Sequence, residues 1–76
     1  MKTKEQIMSE GHCGRCEGDV FTLCEFIEMT KRQIILPYDG SGYFHDGENE
    51  TDKSVWDEDL SILELRKYPY VCWYNK

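Results

Sequence analysis

The run Tyr70-Val-Cys-Trp-Tyr74 is apolar at every position, so at strand periodicity both of its faces are apolar, Tyr70/Cys72/Tyr74 on one and Val71/Trp73 on the other. A strand buried on both faces is either central in its sheet or covered by a second chain. Val20 to Met29 fits two periods. As a strand, Phe21, Leu23, Ile27 and Met29 share one face; as a helix, Val20, Leu23, Cys24 and Ile27 form a stripe at i, i+3, i+4, i+7 behind Asp19 as cap. The density of β-branched and aromatic residues favours the strand. Thr30-Lys-Arg32 would then turn it into the apolar run Gln33 to Leu36 as a hairpin, with Pro37 marking an edge or a strand end.

The remaining segments are shorter. Lys2 to Glu10 predicts a helix ending at Gly11, and His12 to Gly18 a turn. Asp39-Gly-Ser-Gly42 predicts a turn, Tyr43 and Phe44 a brief strand, and His45 to Lys53 a polar loop. Asp57-Glu-Asp59 ahead of Leu60, Ile62, Leu63 and Leu65 predicts a short helix with Arg66-Lys67 in its last turn, stopped before Pro69. The pattern as a whole, residues 1–76, predicts a single small α+β domain: mostly an antiparallel sheet of three or four strands with one or two short helices.

Length and charge narrow what such a domain does. A chain of 76 residues buries only about 60% of its unfolded surface, so its core is small. The aromatic fraction of 13% nonetheless supplies enough burial per residue to argue against disorder. No apolar stretch reads as a secretory signal or a membrane span, which places the expected location in the cytoplasm, where cysteines stay reduced. The net charge of −6 is concentrated. Residues 39–59 hold eight carboxylates against Lys53 alone, a balance of −7 that leaves +1 for the other 55 residues. This disfavours direct binding to nucleic acid or an anionic membrane and favours a protein partner with a basic surface.

Asp46, Glu48, Glu50 and Asp52 stand at every second position. In an extended segment they would project from one face about 6.8 Å apart, a rhythm like that of a nucleic-acid backbone. The expected partner surface comprises these four with Asp57, Glu58 and Asp59. Tyr70, Trp73 and Tyr74 are added as an aromatic recognition cluster, or else as core, and self-association into a homodimer is open to the same cluster. A calcium loop would need Gly where Thr51 stands and Glu where Asp57 stands, so the row departs from that pattern.

The sharpest local chemistry is His12-Cys-Gly-Arg-Cys16. Cys13 and Cys16 are spaced to grip one zinc ion, with His12, Cys24, His45 and Cys72 as further candidate ligands, but no second paired motif completes a tetrahedral site. Cys-Gly-Arg-Cys also resembles the active-site tetrapeptide of thioredoxin-like oxidoreductases, which implies a thiol oxidoreductase. That fold needs a strand before the motif, and only 12 residues precede Cys13. Buried or incidental thiols are the simplest reading, and no cofactor is expected. No phosphate loop, nucleophile elbow or paired-His zinc motif occurs. The expectation is therefore a non-enzymatic binding protein. In size and charge the chain is similar to the accessory proteins, anti-CRISPR inhibitors and DNA mimics among them, by which phages and mobile elements block nucleic-acid-handling machinery. A zinc-stabilised module is the alternative.

Overall fold

A computed structural model describes residues 1–9, 18–57, 59 and 67–75. Helix α1 (Lys4–Ser9) is followed by strand β1 (Gly18–Thr22), helix α2 (Leu23–Lys31), a 3₁₀ turn (Pro37–Asp39), and strands β2 (Gly40–His45), β3 (Glu50–Ser54) and β4 (Tyr70–Asn75). The strands form one antiparallel sheet of four in the order β1-β4-β2-β3, an α+β arrangement as the sequence predicts.

The apolar closing run is central, as expected: β4 pairs with β1 on one side and β2 on the other. Each of its faces meets a different helix. Val71 and Trp73 enter the main core with Leu23, Phe26, Phe44, Val55 and Tyr68, under α2. On the opposite face Cys72 packs with Val20 of β1 and Ile7 of α1, flanked by Tyr70 and Tyr74. Two covered faces explain why the strand lacks polar alternation.

Residues 20–29 are not the strand favoured from sequence. The chain is extended only to Thr22 and then helical, so the hairpin with residues 33–36 does not form. Thr22, not Asp19, caps the helix. Its Oγ1 accepts from the Glu25 N–H at 3.1 Å while Glu25 Oε1 accepts from the Thr22 N–H at 2.9 Å, a capping box. Leu23 and Phe26, one helical turn apart, are both fully buried. The helix stops by geometry instead of by glycine. Gln33 takes a left-handed φ of 58°, and Ile34 N–H donates to Met29 O at 2.9 Å while Gln33 N–H donates to Thr30 O at 3.1 Å. That pair of bonds is a Schellman motif.

Of the expected turn Asp39 to Gly42, Asp39 closes the 3₁₀ turn and residues 40–42 are strand. Gly40 and Gly42 lie in β2, and Gly42 pairs with Trp73. Their glycines serve close packing: a Cβ on Gly40 would sit 2.7 Å from Trp73 Cζ2, and one on Gly42 2.9 Å from Val55 Cγ2. The sequence signal for a turn came from residues that make room for an indole. Of the helix read from Asp57 to Lys67, residues 58 and 60–66 lie outside the described residues.

Candidate functional site

The β2–β3 hairpin carries much of the acidic segment. Its loop is closed by Asp46, whose Oδ1 accepts from the Glu48 N–H at 2.8 Å and the Asn49 N–H at 2.7 Å. Those two bonds, Asn49 first, hold the Asp46 carboxyl below its ordinary range. Gly47 takes φ +98° and donates its N–H to His45 Nδ1 at 3.0 Å, and Asp46 N–H donates to Asn49 O at 3.0 Å. An Nδ1 that accepts a hydrogen bond carries no proton, so the buried His45 ring holds its hydrogen on Nε2. The N-terminal segment ties down the same loop: Lys2 N–H donates to Gly47 O at 2.8 Å and Lys2 Nζ to Glu48 O at 3.0 Å.

This geometry corrects the single acidic row. Asp46 and Glu48 belong to the loop, and only Glu50 and Asp52 lie in a strand, β3. The four carboxylates therefore do not share one extended face. They divide by task instead. Asp39 accepts from the Leu36 N–H at 2.9 Å and shapes the 3₁₀ turn, as Asp46 shapes the hairpin. Glu48 lies 3.3 Å from the Met1 ammonium and remains exposed, as do Asp52, Asp57 and Asp59. Glu58 lies outside the described residues.

Glu50 is exposed but reaches inward. Its Oε1 accepts a hydrogen bond from the Tyr74 hydroxyl, and its backbone is opposite His45. Tyr74 is half-buried and packs on Tyr43 at 6.1 Å between ring centroids. The aromatic cluster proposed from sequence is thus divided. Trp73 is 3% exposed and stacks with Phe26 and Trp56, each at 5.9 Å, so it is core and presents no surface to a partner. Tyr70 is half-buried against His45 on the opposite face. Tyr74 remains accessible. Tyr43 and Ser41, which share its face through the pairs Tyr43↔Cys72 and Ser41↔Tyr74, were missed from sequence. Reading 40–45 as a strand would have found them, because Ser41, Tyr43 and His45 then alternate to one side.

The candidate metal ligands do not converge where they are described. Cys24 is exposed on α2, while Cys72 is buried in β4. Among the described residues no group of three or more His, Cys, Asp or Glu is placed to hold a metal ion. His12, Cys13 and Cys16 lie outside those residues. Burial, then the Glu50 carboxylate, pushes the Cys72 thiol up to about 12. A thiol held protonated through the physiological range is a small apolar group, not a nucleophile.

A shallow cleft of about 190 Å³ opens beside Tyr74, lined by Pro37, Gly40, Ser41, Tyr74 and Asn75. It is smaller than the roughly 300–1,000 Å³ of small-molecule sites, so it suits one side chain better than a metabolite. The loop before it leaves Ile34 58% and Tyr38 67% exposed. No helix among the described residues is long and apolar enough to cross a membrane. No protein-family model matches the chain, and neither a curated protein nor a solved structure matches it.

Proposed function

We propose that this protein acts by binding, not catalysis, and that it occupies a basic surface of another protein through the acidic β2–β3 hairpin and the residues that follow it. The observation that carries this reading is the division of labour among the carboxylates. Asp39 and Asp46 close turns, while the side chains of Glu48, Asp52 and Asp57 are exposed and hold no turn of the backbone together. Their charge is thus available to a partner, within a chain of net charge −6. The inert Cys72 thiol and the enclosed His45 ring support a non-catalytic role. The partner class that fits is a nucleic-acid-binding protein, whose groove is itself basic. An inhibitor from a phage or mobile element, acting as anti-CRISPR proteins or DNA mimics do, would use such a surface, here without a continuous phosphate-like row.

The test compares the wild-type chain with Glu48→Gln/Asp52→Asn/Asp57→Asn, using proteins captured from native host cells and then purified. The variant is expected to keep its thermal midpoint, bind more weakly and lose most of the salt dependence of binding. Equal affinity of both chains for the purified partner across a salt series would refute the reading.

A further inference from the structure

We propose that Tyr43, Tyr74 and Glu50 form the seat for a single arginine side chain of the protein partner, a reading that rests on the basic-partner function above and names its anchor. On the sheet face opposite α2, α1 covers β1 and β4 through Ile7, Val20 and Cys72. The part of that face formed by β2, β3 and the Tyr74 ring keeps accessible groups: Ser41 and Glu50 are exposed, Tyr43 and Tyr74 half-exposed. The Tyr43 and Tyr74 rings pack at 6.1 Å with a tilt of 57°, and the Tyr74 hydroxyl reaches the Glu50 carboxylate.

The chemistry of this arrangement selects a cation that is also flat. Ring faces attract cations, and a guanidinium both stacks on an aromatic plane and forks onto a carboxylate. The Tyr74 hydroxyl donates to Glu50 Oε1 and the Cys72 thiol hydrogen-bonds the same carboxylate, which fixes it next to the ring; of the roughly four lone-pair sites of a carboxylate, about two then remain to accept. Burial and then Glu50 raise the Tyr74 hydroxyl's ionisation, so it stays a donor throughout the neutral range. An anionic ligand would meet Glu50 and a chain of net charge −6. A lysine ammonium would satisfy the charge but neither the stacking nor the fork.

The experiment titrates the full chain with blocked tripeptides, Ac-Gly-Arg-Gly-NH₂ against the same peptide carrying lysine or citrulline, and follows the aromatic resonances of Tyr43 and Tyr74 by NMR. The arginine peptide is expected to shift both rings saturably, with lysine several-fold weaker and citrulline, which keeps the shape without the charge, weaker still. Glu50→Gln and Tyr74→Phe should each lower arginine affinity by about fivefold or more, the scale of one charge-assisted hydrogen bond. Thermal melts confirm that both variants fold, and the Gln side chain can still accept from Tyr74. Equal response to citrulline, or indifference to Glu50→Gln, would overturn the seat. If the arginine peptide fails while partner binding still responds to Glu48→Gln/Asp52→Asn/Asp57→Asn, the seat is wrong and the acidic surface stands. Saturable binding at the two tyrosines alongside a partner indifferent to that triple change supports the seat and removes the acidic surface.

Discussion

Removing the Trp73 side chain should bring this domain close to unfolding. The indole is 3% exposed, lies against Phe26 and Trp56, and covers Gly40 and Gly42 of the neighbouring strand. A buried aromatic of about 150–250 Å², at roughly 25 cal/mol per Å², corresponds to about 4–6 kcal/mol as an upper bound. Measured large-to-small changes of this kind cost about 3–5 kcal/mol. Two glycines form part of the floor of the space and have no side chains to swing into it, so Trp73→Ala should fall in the upper half of that range, about 4 kcal/mol. A domain of 76 residues has roughly 4–11 kcal/mol in all, at about 0.05–0.15 kcal/mol per residue. Urea unfolding followed by circular dichroism reads the loss directly. With a slope near 1 kcal/mol per molar, the midpoint should fall by several molar or the folded baseline vanish. Trp73→Phe, which keeps a ring over the glycines, should cost markedly less. A loss below about 1 kcal/mol for Trp73→Ala, the range of ordinary surface changes, would refute the placement of the indole in the core.

Gln33→Gly should stabilise by about 0.5–1 kcal/mol in the same assay, because relief of the left-handed φ of 58° exceeds the added chain entropy of glycine. A destabilised variant would mean that the Gln33 side chain contributes more than its backbone costs. Asp46 and Glu25 both have carboxyls held below their ordinary values, Asp46 by the Asn49 and Glu48 N–H groups and Glu25 first by the Thr22 N–H and then by Lys4. Such groups stabilise above the unfolded-state value and lose that contribution as pH falls through the folded one, so stability should decline below about pH 4. Asp46→Ala should flatten that decline in melts taken from pH 5 to pH 2. Cys72 has the opposite sign: its thiol is raised from 9.0 to about 12, so its contribution is complete below pH 9 and fades as pH rises toward 12. Iodoacetamide at pH 8 should accordingly modify exposed Cys24 well before Cys72, followed by mass spectrometry of the digested protein. Equal labelling of the two in the folded chain would contradict the burial of Cys72.

The sequence was least legible where one local pattern fits two structures. β4 was readable because five successive apolar residues leave one interpretation, a strand covered on both faces. Residues 20–29 were not, because strand and helix stripes overlap there. The boundary depends on Thr22 and Glu25 closing a capping box, a local bond pair that outweighs the β-propensity of Phe26 and Ile27. Gly40 and Gly42 misled for a different reason. A glycine that makes a turn and a glycine that admits an indole look alike until the indole is placed. The acidic segment was legible as charge but not as shape. Asp46 resembles Glu48 and Asp52 in sequence, and only the loop geometry reveals it as a turn residue.

The position of the charges also bears on the edge of the sheet at β3. β3 is an edge strand of sequence Glu-Thr-Asp-Lys-Ser, and an edge with unpaired backbone groups is a template for a further strand. Asp52 and Lys53 are exposed on it. Charged side chains along an edge disfavour its pairing with a further apolar strand. Under the proposed function the same exposed carboxylates would face a cationic surface, which neutralises instead of repelling. On the function proposed above, binding of a basic partner and protection of the β3 edge would be two consequences of one charge pattern. Neither requires anything of the Trp73 core on the other face of the sheet. This separation predicts that exchanging the exposed acids for amides leaves the fold intact, while removing the Trp73 indole brings it close to unfolding.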